Sequence, residues 1–86
     1  MNKIESFREK ISNIDKEIVE LLIQRFQYAY IIGDEKKKKN IPILNNDAYK
    51  LALSKYKNGL GEYGEDIFNL IHKISVKIQE NVTDNL

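Results

Sequence analysis

Residues 3–39 read KIESFREKISNIDKEIVELLIQRFQYAYIIGDEKKKK, and this stretch decides the fold. It contains no proline and a single glycine, Gly33. Its apolar residues recur at alternating intervals of three and four, a spacing typical of an amphipathic helix and close to a heptad pattern. We therefore expect one helix from about Lys3 to Lys39, ended by Asn40-Ile41-Pro42. The apolar stripe comprises Ile4, Phe7, Ile11, Ile14, Ile18, Leu21, Leu22, Ala29 and Ile32.

Two shorter helices are expected further along the chain. The second helix runs from about Asn46 to Lys57, with Asn45 or Asn46 as its N-cap. Residues 58–64 read NGLGEYG and contain three glycines, which predicts a loop. The side chains of the second helix that we expect to face inward are Leu51, Ala52 and Tyr56.

The third helix is expected from about Glu65 to Val82, and the last residues, 83–86, are expected to fray. No segment alternates as a strand would, and there is no internal repeat. The sequence therefore predicts an all-α fold of three helices in a single domain, residues 1–86. The apolar stripe of the third helix comprises Ile67, Leu70, Ile71, Ile74, Ile78 and Val82.

The first helix is too long for a compact monomer. Thirty-seven helical residues make a rod of roughly 55 Å. A compact 86-residue domain has a radius of gyration of only about 12 Å. Because two short helices cannot cover the whole apolar stripe, we infer an intertwined homodimer in which a second copy covers it. A first helix that bends or breaks near Gly33 is the alternative.

The composition excludes several classes of function. Fourteen basic and thirteen acidic residues give a net charge of +1, without the basic excess of a nucleic-acid-binding protein. The absence of cysteine excludes disulfides, thiolate nucleophiles and cysteine-rich zinc sites. A Ser-His-Asp triad would need the one histidine, His72. With neither a membrane span nor a secretory signal in view, we expect a cytoplasmic protein. The lysine run at 36–39 is typical of a solvated helix end.

Two cations interrupt the apolar stripe of the first helix. Arg25 and Lys36 are eleven residues apart, close to three whole turns, so they point the same way. An isolated buried charge is costly and needs a partner. One interpretation is structural. The two cations pair with Glu65 or Asp66 of the third helix, or their aliphatic stems are buried while their charged ends reach water. The other is a cationic pocket for an anionic ligand.

The third helix carries a second polar pair beside its apolar stripe. Ser75 and Gln79 are four residues apart and therefore lie on one face. By themselves they could be ordinary residues at the edge of the helix. Together with Arg25 and Lys36 they form a set of hydrogen-bond donors suited to carboxylates and a developing oxyanion.

Four stretches complete the pattern: FREKISNIDKEI at 7–18, LLIQR at 21–25, IGDEKK at 32–37 followed by IPI at 41–43, and IHKISVKIQ at 71–79. This series resembles the all-helical class of chorismate mutases, the chorismate mutase type II family, over about residues 4 to 80. The resemblance implies a Claisen rearrangement of chorismate to prephenate in aromatic amino acid biosynthesis. That concerted reaction needs no metal, cofactor, nucleophile or general base.

The resemblance also implies roles for individual residues. Arg25 should bind one carboxylate of the dianionic substrate, and Ser75 should help to bind a carboxylate. Lys36 and Gln79 should donate to the ether oxygen. Arg8 should reach into the pocket of the partner subunit and bind the other carboxylate. No nucleic acid, membrane or cofactor is implied.

The start of the second helix departs from the family pattern. The family has an acid there, then an arginine three residues later followed by glutamate, whereas this chain has Asn45, Ala48 and Tyr49. Asn45 can still hydrogen-bond a substrate hydroxyl, but Ala48 cannot replace an arginine. Three alternatives stay open: a mutase in which other groups compensate, a mutase or isochorismate-pyruvate lyase acting on a related dianion, and a non-catalytic helical dimerisation module.

Overall fold

The computed structural model describes residues 2–82 and contains three α-helices in that range, with no strand. The helices are α1 (Lys3–Lys38), α2 (Asn46–Leu60) and α3 (Glu62–Glu80). The predicted all-α class with a very long first helix is confirmed. The fraying that we predicted for residues 83–86 lies outside the described residues.

The ends of α1 are set by local hydrogen bonds. The Asn2 side chain accepts from the Glu5 amide at 2.9 Å and so caps the first turn. At the other end Asn40 has a φ of 55°, and the amides of Asn40 and Ile41 donate to the carbonyls of Lys37 and Lys36. This is the Schellman arrangement, which satisfies the last carbonyls and turns the chain away. Between these ends α1 is unbroken, including at Gly33.

The predicted loop at 58–64 is wrong, because α2 and α3 meet at a corner formed by Gly61 alone. Gly61 has a φ of +67°, which glycine adopts at little cost. Gly64 lies buried in the first turn of α3, and a Cβ there would stand 2.1 Å from the Tyr56 carbonyl oxygen. The glycines that predicted a loop therefore allow a tight turn and a close helix contact.

The three helices form a single layer. Helix α3 packs against both α1 and α2, which do not contact each other. The principal extents of the Cα trace are 56 × 31 × 13 Å, so the molecule is long and flat. Within residues 2–82 only Ala29, Phe68 and Val82 are buried apolar residues. Most globular domains bury their core between two layers, and this chain by itself has one.

The apolar stripe of α1 is largely exposed in the single chain. Phe7 and Ile11 are more than half exposed, and so is Leu51, which we expected to face inward. The prediction for Leu51 is wrong because α2 packs on α3 alone, through Ala52 and Tyr56, which are half-buried. The accessible surface is 7309 Å², whereas a compact 10.1 kDa monomer would expose about 5,300 Å². None of the described helices is long and apolar enough to cross a membrane.

Candidate functional site

A cavity of about 460 Å³ lies where α1, α2 and α3 approach one another. Its size falls within the range of about 300–1,000 Å³ typical of small-molecule sites. Within residues 2–82 no acidic residue lines it, whereas the basic residues Arg25 and Lys36 do. Five of the six predicted site residues line this cavity: Arg25, Lys36, Asn45, Ser75 and Gln79.

Arg25 is held in place from two sides. Its Nη1 donates to the Ser75 Oγ at 2.6 Å, and the Ser75 hydroxyl donates to the Ile71 carbonyl at 2.9 Å. The guanidinium carbon lies 5.8 Å from the centre of the Phe68 ring, within the range of a cation–π contact. A guanidinium has five N–H donors, so the Ser75 bond leaves the fork of Arg25 able to hold a carboxylate.

Lys36 and Gln79 form the second polar pair of the cavity. The Lys36 Nζ donates to the Ile43 carbonyl at 2.6 Å and to the Gln79 Oε1 at 3.2 Å. An ammonium has three donors, so one remains for a ligand. The Gln79 oxygen accepts from Lys36, and within residues 2–82 its amide nitrogen makes no hydrogen bond, so both of its N–H donors are available.

The two cations have no acidic partner within residues 2–82, so the interpretation that they pair with Glu65 or Asp66 is wrong. Glu65 instead pairs with Lys57, at 3.8 Å. The last two cations of the lysine run differ, since Lys38 pairs with Asp34 at 3.0 Å and Lys39 pairs with Glu35 at 3.7 Å. Arg25 and Lys36 therefore bring uncompensated positive charge to the cavity.

Gly33 lets α1 and α3 approach closely beside this pair. A Cβ at Gly33 would lie 2.8 Å from the Gln79 Cα and 3.0 Å from the Val82 Cγ2. Only a residue without a side chain fits there with both backbones in place. The position of Gln79 relative to Lys36 thus depends on the glycine one turn before the lysine.

Asn45 has a structural function in addition to its place at the cavity. Its Oδ1 accepts from the Ala48 amide at 3.1 Å, which makes it the N-cap of α2, as predicted. Ala48 and Tyr49 also line the cavity, so the departures from the family pattern fall within the site itself.

His72 was not among the predicted site residues, although it lines the same cavity. Its ring lies 4.6 Å from the Tyr49 ring and 5.7 Å from the Phe68 ring, centre to centre. Burial, and after it the positive charge of Arg25, lowers the pKa of His72 below its ordinary value of 6.5. The sequence could have indicated His72 as a site residue, because it lies three residues before Ser75 on α3 and residues three apart share a helix face.

Arg8 is the predicted site residue that does not reach this cavity. It is exposed, and it lies seventeen residues before Arg25 on the same unbroken helix, a separation of roughly 25 Å. Arg8 therefore cannot serve the cavity of its own chain.

Comparisons with known proteins agree on one family. A family model for chorismate mutase type II matches residues 7–80. Two similar curated proteins are bifunctional chorismate mutase/prephenate dehydratases of Buchnera aphidicola. The one from subsp. Schizaphis graminum (strain Sg) is 38% identical over 87 residues, covering 94% of this chain and 23% of the relative. The one from subsp. Acyrthosiphon pisum (strain APS) is 33% identical, with the same coverage of each chain.

The chain therefore spans about a quarter of the length of the curated relatives that it matches. No solved structure gives a significant match to it.

Proposed function

This chain belongs to the chorismate mutase type II family, and from that premise we propose that it rearranges chorismate to prephenate. The observation that carries the proposal is a cavity that no acidic residue within 2–82 lines and in which four polar side chains converge: Arg25, Lys36, Ser75 and Gln79. Arg25 offers a cation to one carboxylate of the substrate, and Lys36 and Gln79 offer donors to the ether oxygen.

The rearrangement requires the protein only to bind the substrate and to stabilise the charge that develops in the transition state. One ether carbon–oxygen bond breaks while one carbon–carbon bond forms, and no proton is transferred. Negative charge develops on the ether oxygen in the transition state. The remaining donor of Lys36 and the amide of Gln79 stabilise that charge, and donors fixed before the reaction need no reorganisation. The contacts of Lys36 with Ile43 and Gln79 hold its ammonium in position.

Arg25 and Ser75 hold one carboxylate, and the side chains around them confine the ring. The Ser75 contact at 2.6 Å and the Phe68 ring restrict the guanidinium to one orientation. A substrate that is already confined loses less entropy when it reaches the folded conformation in which the two reacting carbons meet.

The direct test follows loss of the chorismate diene by ultraviolet absorbance and identifies the product. We expect prephenate, and we expect Arg25→Ala and Lys36→Ala each to lower kcat/KM by about 10²–10³, as deletion of an oxyanion donor does. Lys38→Ala is the matched control, because it removes an exposed cation of the same helix that pairs with Asp34. Full activity in both cavity variants would refute the assignment of the site.

We further propose an intertwined homodimer with shared active sites, to which Arg8 of the partner subunit brings a third cation. The single-layer shape, the exposed stripe of α1 and about 2,000 Å² of excess surface support it, since that area is typical of an obligate interface. Sedimentation should give the mass of a dimer.

A mixing experiment tests the sharing of sites. Arg8→Ala and Arg25→Ala chains are each expected to be inactive, but a mixed dimer restores one intact site of two. Random reassortment makes half of the dimers mixed, so about a quarter of wild-type activity should return. No recovery after confirmed exchange of subunits would refute shared sites.

One observation favours a second candidate substrate. Ala48 and Tyr49 line the cavity where the family pattern has an arginine and a glutamate, so the site is altered on one side. Isochorismate with release of pyruvate is therefore the next reaction to assay. The rival dimerisation module leaves the gathering of four polar side chains unexplained, since polar residues on a helical seam reduce its stability.

A further inference from the structure

The cavity has one group whose charge can change near neutral pH. His72 is the only histidine of the chain, and histidine alone among unperturbed side chains titrates between pH 5 and 8. Its ring makes no hydrogen bond within residues 2–82, although it lines the cavity between Tyr49 and Phe68. Both of its nitrogens are therefore available to a ligand.

The surroundings of His72 keep the imidazole neutral. Arg25 on α1 disfavours a second positive charge, and burial acts in the same direction and more strongly. Lys36 on α1 and the Tyr28 and Tyr49 phenols face the same cavity. On its own helix the ionisable neighbours are Lys73, Lys77 and Glu80, which line an adjoining cavity of about 410 Å³ together with His72.

A bound dianion would reverse this balance. Two carboxylates would offset the charge of Arg25 and attract a proton to the imidazole, because opposite charges within about 4–6 Å favour the charged form. The ring is already packed in a tilted arrangement against the Tyr49 and Phe68 rings, so little ordering is needed for its N–H groups to donate. Ala48 leaves space on this side in place of a long cationic side chain.

We propose that His72 is a further cationic ligand of the dianion, which takes up one proton when the substrate binds and donates to the carboxylate held by Arg25. This inference rests on the proposed function and extends it, because it makes substrate affinity depend on pH. His72 is a substrate-binding residue in this proposal, and it takes no part in bond breaking.

The first test is the pH dependence of KM for chorismate between pH 8.5 and 6.5. For the wild type we expect KM to fall by about tenfold as the pH is lowered, because the bound state holds one more proton than the free state. His72→Gln keeps a neutral donor but cannot take up a proton, so its KM should stay constant across this range. Lys38→Ala, which removes an exposed cation outside both cavities, should keep the wild-type profile.

The second test reads the imidazole directly. Because the chain has one histidine, nitrogen NMR of ¹⁵N-labelled protein without a polyhistidine tag shows His72 alone. At pH 7 we expect the signals of a neutral ring without ligand and of an imidazolium when prephenate saturates the site. Calorimetry of prephenate binding in buffers of different ionisation enthalpy should show the same proton uptake, and His72→Gln should abolish it.

The outcomes separate the two proposals. Turnover of chorismate with proton uptake at His72 supports both. Turnover with a ring that stays neutral under saturating prephenate, or with the same pH profile in His72→Gln, overturns the inference and leaves the proposed function intact. Absence of both turnover and prephenate binding overturns the proposed function and the inference with it.

Discussion

Gly33→Ala tests whether the close approach of α1 and α3 positions the catalytic donors. The new Cβ would lie 2.8 Å from the Gln79 Cα, whereas ordinary contact begins at 3.4 Å. Because the obstructing atom belongs to the backbone, no rotamer change relieves the clash. Helix α3 must move by about 0.6 Å at Gln79, the difference between those two distances.

The expected loss is larger in activity than in stability. Overpacking costs about 1–3 kcal/mol, and replacing a helical glycine by alanine returns about 1 kcal/mol, so the free energy of unfolding should fall by about 0–2 kcal/mol. The Lys36–Gln79 bond, at 3.2 Å, is near the limit of a hydrogen bond and cannot lengthen without being lost. A displacement near 1 Å can cost 10²-fold in rate, so we expect kcat to fall by about 10- to 100-fold.

Chorismate turnover and urea denaturation measure the two effects separately, and Gly59→Ala is the matched control. Gly59 lies within α2, and a Cβ there meets nothing within 4 Å. The control should gain about 0.5–1 kcal/mol and keep its full kcat. If Gly33→Ala retains wild-type kcat, or if Gly59→Ala loses as much activity, then the close approach at Gly33 does not position Gln79.

Three further predictions follow from the structure. Gly64→Ala should prevent folding or lower the free energy of unfolding by about 3 kcal/mol, the upper end of the usual overpacking range, because its Cβ would overlap the Tyr56 carbonyl oxygen. Circular dichroism melts measure this loss, and a wild-type melt would refute the close packing of α2 on α3. Asn45→Ala should cost about 1 kcal/mol in urea denaturation, since it removes the N-cap bond to Ala48, and Asn46→Ala should cost less; equal losses would contradict the cap. In the absence of ligand, the lowered pKa of His72 means that the unfolded state binds its proton first. The contribution of His72 to stability should therefore be complete above its ordinary pKa of 6.5 and be lost as the pH falls from there towards the lower pKa of the folded state. If the free energy of unfolding of His72→Gln varies with pH in parallel with that of the wild type, this prediction is refuted.

The sequence was most informative about α1, and the reason is physical. A long amphipathic helix is encoded by its own periodicity and by the cap at Asn2 and the stop at Asn40, all of which are local. Arg25 and Lys36 could be recognised because the same periodicity places two cations among apolar residues, where they need a function. The spacing seen in the sequence predicts the relative positions of these side chains correctly because α1 is one unbroken helix.

The features that the sequence did not reveal depend on contacts between separate helices. Glycines at a loop and glycines at a close helix contact look alike in sequence, and only the proximity of Gly64 to Tyr56 distinguishes them. Tyr49 and His72 are twenty-three residues apart in the sequence. Their rings meet only because α2 folds back on α3 at Gly61. The Ile43 carbonyl that holds Lys36 belongs to an irregular segment, where side-chain patterns carry little information.

The residues that made the site recognisable are also those that weaken the single chain. In an ordinary small protein, positions such as Arg25 and Lys36 would be apolar and would enlarge a core that here contains three buried apolar residues within 2–82. Polar residues at a buried seam lower stability, and active sites commonly accept that loss in return for function. More apolar contact than the single layer provides would stabilise the chain, and the exposed stripe of α1 is a surface from which to obtain it. If a second copy supplies that contact, stability and the completion of the site by Arg8 of the partner subunit depend on the same interface.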